Sequence, residues 1–147
     1  MIEHRQLLKL LNVHFNVRDH LSNRFPEGPT HIEIRGRSQK GGQSQVETYA
    51  IERAKLSTVI DALDRSVADL GQGPPTFHRD IVRKLYWEGK RPSRAIAELG
   101  LSSPTYYRRR GGALELLLEG MNERLTDVEL RAFFVAYSSV FGSEIKS

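Results

Sequence analysis

Phe77-His-Arg-Asp-Ile-Val-Arg-Lys-Leu-Tyr-Trp-Glu-Gly89, Pro92-Ser-Arg-Ala-Ile-Ala-Glu-Leu-Gly100 and Ser102-Ser-Pro-Thr-Tyr-Tyr-Arg-Arg-Arg110 follow one another along the chain. In the first segment Phe77, Ile81, Val82, Leu85 and Tyr86 fall on one helical face, Thr76 precedes it as a cap, and Gly89 stands where a helix ends in a left-handed residue. Pro92 suits the first position of a second helix, because a missing amide costs nothing there; Ala95, Ile96 and Leu99 supply its apolar face before Gly100 turns the chain. Ser102 or Ser103 then caps a third helix, with Pro104 in its first turn. Two short helices, a glycine turn and an arginine-rich third helix form the outline of a helix-turn-helix over residues 77–121.

The third helix is the expected reader of DNA. With Tyr106 as the inward anchor, a step of about 100° per residue places Pro104, Thr105, Arg108 and Gly112 outward and Tyr107 and Arg109 on the flanks. A helix in the major groove contacts bases from its first turns, so Ser103, Thr105, Tyr107 and Arg108 are the candidates for base edges and Arg109 and Arg110 for phosphates. Arginine suits both roles through its planar fork. The plainer alternative is a solvated arginine cluster that favours a helix dipole. Gly111-Gly112 would cost about 2 kcal/mol inside a helix, which predicts a kink or break there before Ala113, Leu114, Leu117, Leu118 and Met121 resume an apolar face.

Leu85-Tyr-Trp-Glu-Gly89, Leu99-Gly-Leu-Ser102 and Thr105-Tyr-Tyr-Arg-Arg-Arg110 with Ala113-Leu114 resemble the carboxyl-terminal part of phage-encoded transcriptional regulators of the ArpU/RinA type. That part is similar in turn to region 4 of bacterial sigma factors. The resemblance covers about 45 residues, Phe77 to Met121, with the Ser-x-x-Thr-Tyr-Tyr-Arg pattern at Ser102, Thr105, Tyr106, Tyr107 and Arg108. It implies a DNA-binding helix-turn-helix that regulates phage late or packaging genes. The chain departs from the pattern at Arg91, where a capping serine is usual, at Ala95-Ile96, where the order is reversed, and at Gly111-Gly112, where basic residues are common.

Upstream, Leu7, Leu8, Leu11, Phe15, Val17 and Leu21 predict an amphipathic helix from Ile2 to about Arg24, ended by Pro26-Glu-Gly-Pro29. Residues 35–44 read as a basic, glycine-rich loop. Arg35, Arg37 and Lys40 are either phosphate or minor-groove contacts or, as preferred, part of a solvated connection. Ser44-Gln-Val-Glu47 reads as a capping box. Behind it Val46, Tyr49, Arg53, Leu56, Ile60, Leu63, Val67 and Leu70 make a heptad seam that wants a partner helix, with Arg53 as its polar interruption. The first helix is the preferred partner; a second subunit, with Arg53 setting register, is the alternative. Two glycines and two prolines in Gly71-Gln-Gly-Pro-Pro75 mark the boundary.

After Met121, Thr126 and Glu129 form a second capping box, followed by Val128, Leu130, Phe133, Phe134, Tyr137, Val140 and Phe141. This helix either completes the core or dimerises. The expected fold is all-α. An N-terminal helical hairpin fills residues 1–70, with two long helices around the glycine-rich loop; residues 71–76 link it to a sigma-region-4-like helix-turn-helix at 77–121, and a C-terminal helix and tail occupy 122–147.

The 147 residues suit one core, and the 39% hydrophobic content with no long apolar run predicts a cytoplasmic protein without a membrane partner. Absence of cysteine excludes disulfides and thiolate metal sites. The net charge of +4 comes from the segment Gly71 to Gly120, with nine Arg or Lys against five acids, while the remainder balances at 13 against 13. His4, His14, His20, His31 and His78 never form a metal-ligand spacing, and Asp61 and Asp64 read as a charged face. No nucleophile elbow or phosphate loop occurs, so neither an enzyme nor a cofactor is expected.

The expected partner is double-stranded DNA, to which Arg91 and Arg94 add phosphate contacts. RNA polymerase is a second partner, and a homodimer through the heptad helix or the C-terminal helix a third. Two other functions fit the same outline: a small-terminase-like DNA-packaging or assembly adaptor that binds DNA as an oligomer, and a sigma-mimic protein-interaction module.

Overall fold

Leu7, Leu10, Leu11, His14 and Val17 recur at the spacing of one helical face, and they are the buried residues of the first helix, α1 (His4–Ser22). Five more helices follow in this computed structural model, which describes residues 1–22 and 45–142, with 45, 46, 48 and 49 described as backbone only. They are α2 (Gln45–Ala68), α3 (His78–Tyr86), α4 (Pro92–Leu99), α5 (Ser103–Arg124) and α6 (Asp127–Phe141). The described residues contain no strand, in agreement with the all-α expectation. None of their helices is long and apolar enough to cross a membrane. Arg35, Arg37, Lys40, the Ser44 cap and the side chains of Val46 and Tyr49 lie outside what is described.

Phe15 departs from expectation: it is 49% exposed, because it stands one residue step, about 100°, from His14, which takes the buried position instead. A different flank of α1, away from its buried face, meets α6. Lys9 lies over the ring of Phe134, Asn16 donates to the Tyr137 hydroxyl, and His20 meets Phe141 edge-on. These contacts advance together along both helices, so α1 and α6 run in the same direction and touch through long side chains.

The seam on α2 is covered from within the chain. Leu56, Ile60, Leu63, Val67 and Leu70 are buried, and so are Val59, Ala62 and Ser66, which widens the face beyond a single heptad stripe. That width is needed because α2 packs most extensively on α6, then on α5, and only then on α1, the partner preferred from sequence. Arg53 acts locally, donating from its guanidinium to the carbonyls of His20 and Leu21 in the last turn of α1. The polar interruption therefore satisfies carbonyls that a helix end leaves without partners.

No break occurs at Gly111-Gly112; α5 runs as one helix from Ser103 to Arg124. A Cβ on Gly112 would lie 3.3 Å from Nε2 of His78, so the missing side chain lets α3 approach α5. Beyond it Ala113, Leu114, Leu117 and Met121 are buried in the main core with α1, α2 and α6. Burial of Leu114, Leu117 and Met121 contributes about 1.5–3 kcal/mol apiece, which outweighs the roughly 2 kcal/mol cost of two helical glycines. Farther along, Gly120 sits against Ser66, and Arg124 pairs with Asp69 at 2.6 Å, joining the ends of α5 and α2.

The box that opens α6 is formed on both sides: Glu129 N–H donates to Thr126 Oγ1 at 3.1 Å and Thr126 N–H to Glu129 Oε1 at 2.9 Å. Leu130, Phe133, Ala136 and Tyr137 are buried, and Phe134, Val140 and Phe141 pack around them, so this helix completes the core. Val128 does not join them; in the first turn it is 63% exposed. Asn122 clamps the start of the chain by accepting from Ile2 N–H at 2.7 Å and donating to the Ile2 carbonyl at 3.1 Å.

Candidate nucleic-acid interface

The helices α3, α4 and α5 share a small core of their own. Ile81, Ala95 and Tyr106, one from each, are fully buried, and Phe77, Leu85, Ile96, Leu99 and Leu101 pack around them. Local chemistry sets the turns between them. Gly89 and Gly100 both take positive φ, 68° and 69°, which other residues adopt only at a cost, and the amides of Gly100 and Leu101 return to the Ile96 carbonyl. Pro92 starts α4 with Arg91 in the cap position, where its side chain makes no capping bond.

The start of α3 differs from expectation, since Thr76 does not cap it. Phe77 occupies the cap position with φ 55°; Arg79 N–H finds the Gly71 carbonyl at 2.8 Å, and Asp80 accepts from Gly73 N–H at 2.7 Å. The preceding turn thus takes the place of a capping side chain.

Ser102 is the cap of α5. Its Oγ accepts from Thr105 N–H at 3.3 Å and stands 2.9 Å from Thr105 Oγ1. Tyr106 points inward as expected and is fully buried. Ser103, Pro104, Tyr107, Arg108 and Gly111 are exposed, so the outward stripe runs through Pro104, Tyr107, Arg108 and Gly111. Gly112, expected on that stripe, faces His78 instead. Thr105 is half-buried and tied to Ser102, with Arg108 Nη2 reaching its hydroxyl at 3.4 Å. The ring of Tyr107 stands edge-on to Tyr106, with centroids 4.9 Å apart. Arg109 and Arg110 are half-buried, and their Nε atoms are enclosed without a hydrogen-bond partner among the described residues. Arg109 also bears on His78: burial first and this guanidinium second push the imidazole pKa below 6.5.

A second set of cations gathers where α3 turns into α4. One carboxylate, Glu98, receives Lys84 Nζ at 2.8 Å, Lys90 Nζ at 2.7 Å and Arg94 Nε at 3.0 Å. Hydrogen bonds from Lys84 and then Lys90 pull the Glu98 pKa down to about 2. Bonds to Glu98 and then Glu88 raise that of Lys90. Arg91, Lys90, Ser93 and Arg94 line an open cleft at this turn. Of the two phosphate candidates here, Arg94 is therefore engaged, while Arg91 is exposed and forms no side-chain bond among the described residues.

The chain matches no protein-family model, no curated protein and no solved structure.

Two features of this region escape sequence reasoning. The cluster around Glu98 joins Lys84 and Glu98 across two helices, and only the Arg94–Glu98 pair, four apart on one helix, follows a legible spacing. The other is the attachment of α3 to the body. His14 hydrogen-bonds the Tyr86 carbonyl at 2.8 Å and accepts from Arg18 Nε at 2.9 Å; Arg18 in turn pairs with Asp64 at 2.6 Å and lies over the Trp87 ring. A connected polar chain thus runs from α2 through α1 to the end of α3. No group of three His, Asp or Glu among the described residues is placed to hold a metal ion.

Proposed function

We propose that this chain is a sequence-specific DNA-binding transcriptional regulator, with α4 and α5 as the two helices of a helix-turn-helix and α3 as their support. The observation that carries the reading is the first half of α5. Tyr106 locks it inward while Ser103, Tyr107 and Arg108 stand exposed on its opening turns, with Arg109 and Arg110 beside them. Side chains in that position meet base edges when a helix enters the major groove, and arginines on its flanks meet phosphates. Arg91, exposed at the start of α4, adds a backbone contact from the helix that crosses the groove, while Arg94 is held by Glu98.

The continuity of α5 supports the same reading. Its second half is part of the main core, so the exposed turns are held by the body and need little ordering on binding. The phage or prophage setting, and RNA polymerase as a partner, rest on the resemblance of Leu85–Gly89, Leu99–Ser102 and Thr105–Arg110 to the ArpU/RinA type. An oligomeric packaging adaptor draws less support, because the heptad residues Leu56, Ile60, Leu63 and Val67 are already buried within one chain.

Selection of tight binders from a random pool of duplexes, followed by titration of the selected site against unrelated DNA at one salt concentration, tests the proposal. The expected result is a preference of on the order of 10³ or more. Equal affinity for all duplexes would remove the regulator and leave the packaging adaptor; no affinity at all would leave the sigma-mimic module.

A further inference from the structure

Three of the cations nearest the start of α4 are not free. Lys84, Lys90 and Arg94 come from α3, the turn and α4, and all three end on the carboxylate of Glu98 at 2.7–3.0 Å. That carboxylate stays ionised down to about pH 2. Its two oxygens accept the same kind of charge-assisted bonds that a phosphate diester would. Beside it, Arg91 is exposed and lines the same cleft as Lys90 and Arg94.

Resting on the DNA-binding reading above, we infer that Glu98 is an internal counter-anion: it occupies Lys84, Lys90 and Arg94 and keeps them from the DNA backbone. Every cation that pairs with a phosphate adds affinity without regard to sequence, together with salt dependence. Three such cations held by one carboxylate lower that common term and leave the discrimination to the first turns of α5. Glu98 in this sense sets the strength and the salt dependence of backbone binding without touching DNA. The charge excess of the segment overstates the charge available to a duplex, since Glu88 and Glu98 together engage Lys84, Lys90 and Arg94.

The test is the salt dependence of binding to a random-sequence duplex by the full chain and by Glu98→Gln, which keeps the shape of the side chain and removes its charge. Each phosphate newly paired steepens the slope of log K against log salt by about 0.9, so the variant should steepen it by about two to three and bind random duplex more tightly at low salt. Its preference for a selected site over random duplex at one salt concentration should stay unchanged, because a sequence-independent term cancels from that ratio. Adding Lys84→Gln to Glu98→Gln should take back about one unit of slope; Lys84 is the cleaner choice because Lys90 keeps Glu88 at 3.1 Å. Circular dichroism reports whether Glu98→Gln is folded; if it is not, Glu98→Asp, which keeps the charge but shortens its reach, should steepen the slope by about one. Wild-type binding with an unchanged slope in the folded variant overturns the inference and leaves the DNA reading standing. Absence of binding by both proteins overturns the two together.

Discussion

The imidazole of His14, on α1, hydrogen-bonds the carbonyl of Tyr86, the last residue of α3, at 2.8 Å. Arg18 Nε–H donates to the other ring nitrogen, which assigns the proton to Nε2 and requires the neutral form. Burial first, then the Arg18 charge, outweigh the raising effects of the Tyr86 bond and Asp64, so the pKa in the folded protein lies below 6.5. The unfolded chain takes up a proton below its ordinary value and the folded chain does so only at lower pH. The stability is therefore fully present above 6.5 and is lost as the pH falls from there through the folded value. His20 and His78 shift in the same direction. The urea midpoint should drop between about pH 7.5 and about pH 5, and His14→Gln should flatten part of that drop. A midpoint that holds or rises over this interval would contradict the assignment.

The glycines of α5 should respond to alanine in opposite ways. At Gly111 a Cβ meets nothing within 4 Å, so Gly111→Ala should gain about 0.5–1 kcal/mol from helix propensity and a less free unfolded chain. At Gly120 the Cβ would fall 3.1 Å from Ser66 Oγ and 3.2 Å from Ser66 Cβ, so Gly120→Ala should cost about 1–3 kcal/mol. Thermal unfolding of the two variants decides it; a gain at Gly120 equal to that at Gly111 would mean that α2 and α5 are not in close contact there.

Tyr106 offers a cleaner separation of hydroxyl from ring. The side chain is fully buried, and its hydroxyl has no hydrogen-bond partner among the described residues. Such a group carries a desolvation cost without return, so Tyr106→Phe should leave stability unchanged or raise it by up to about 1–2 kcal/mol. Tyr106→Ala empties the small core and should cost about 3–5 kcal/mol. A clear loss in Tyr106→Phe by urea denaturation would reveal a partner for the hydroxyl.

These residues also show how far the sequence can be read. Ser102, the Thr126–Glu129 box, Pro92 and the glycines at 89 and 100 are legible because a cap or a left-handed turn is decided within four residues. The all-helical class follows from the same local signals. What the seam on α2 packs against is not legible: Leu56, Ile60 and Leu63 demand cover but do not say whose, and α6 lies some 70 residues away. The exposure of Phe15 and the burial of His14 reverse ordinary hydrophobic ranking, because Arg18 and the Tyr86 carbonyl satisfy the imidazole. Gly112 has the look of a helix breaker in sequence because its reason, His78 of another helix, is a tertiary contact. At the candidate interface, inward Tyr106 is accessible to a helical wheel, but the bond network of Glu98 is not.

The last prediction separates reading from holding on α5. Arg108 is exposed and only lightly tethered, 3.4 Å from the Thr105 hydroxyl, so its fork is free to pair with a base edge. Arg109 is half-buried with its Nε enclosed, which fixes its stem and leaves the end of the guanidinium for a phosphate. Arg108→Ala should therefore lose about 1–3 kcal/mol against the selected site and little against random duplex, relaxing preference at one base position. Arg109→Ala should weaken every duplex alike and flatten the salt slope by about one. Because Arg109 also contributes packing, its unfolding temperature is measured beside its affinity, and a loss of binding that tracks loss of fold is not counted as a phosphate contact. Titrations of both variants against the selected site and its single-base changes, at several salt concentrations, distinguish the roles. Equal losses that differ only with salt would remove Arg108 as a base reader and leave α5 a backbone-binding helix.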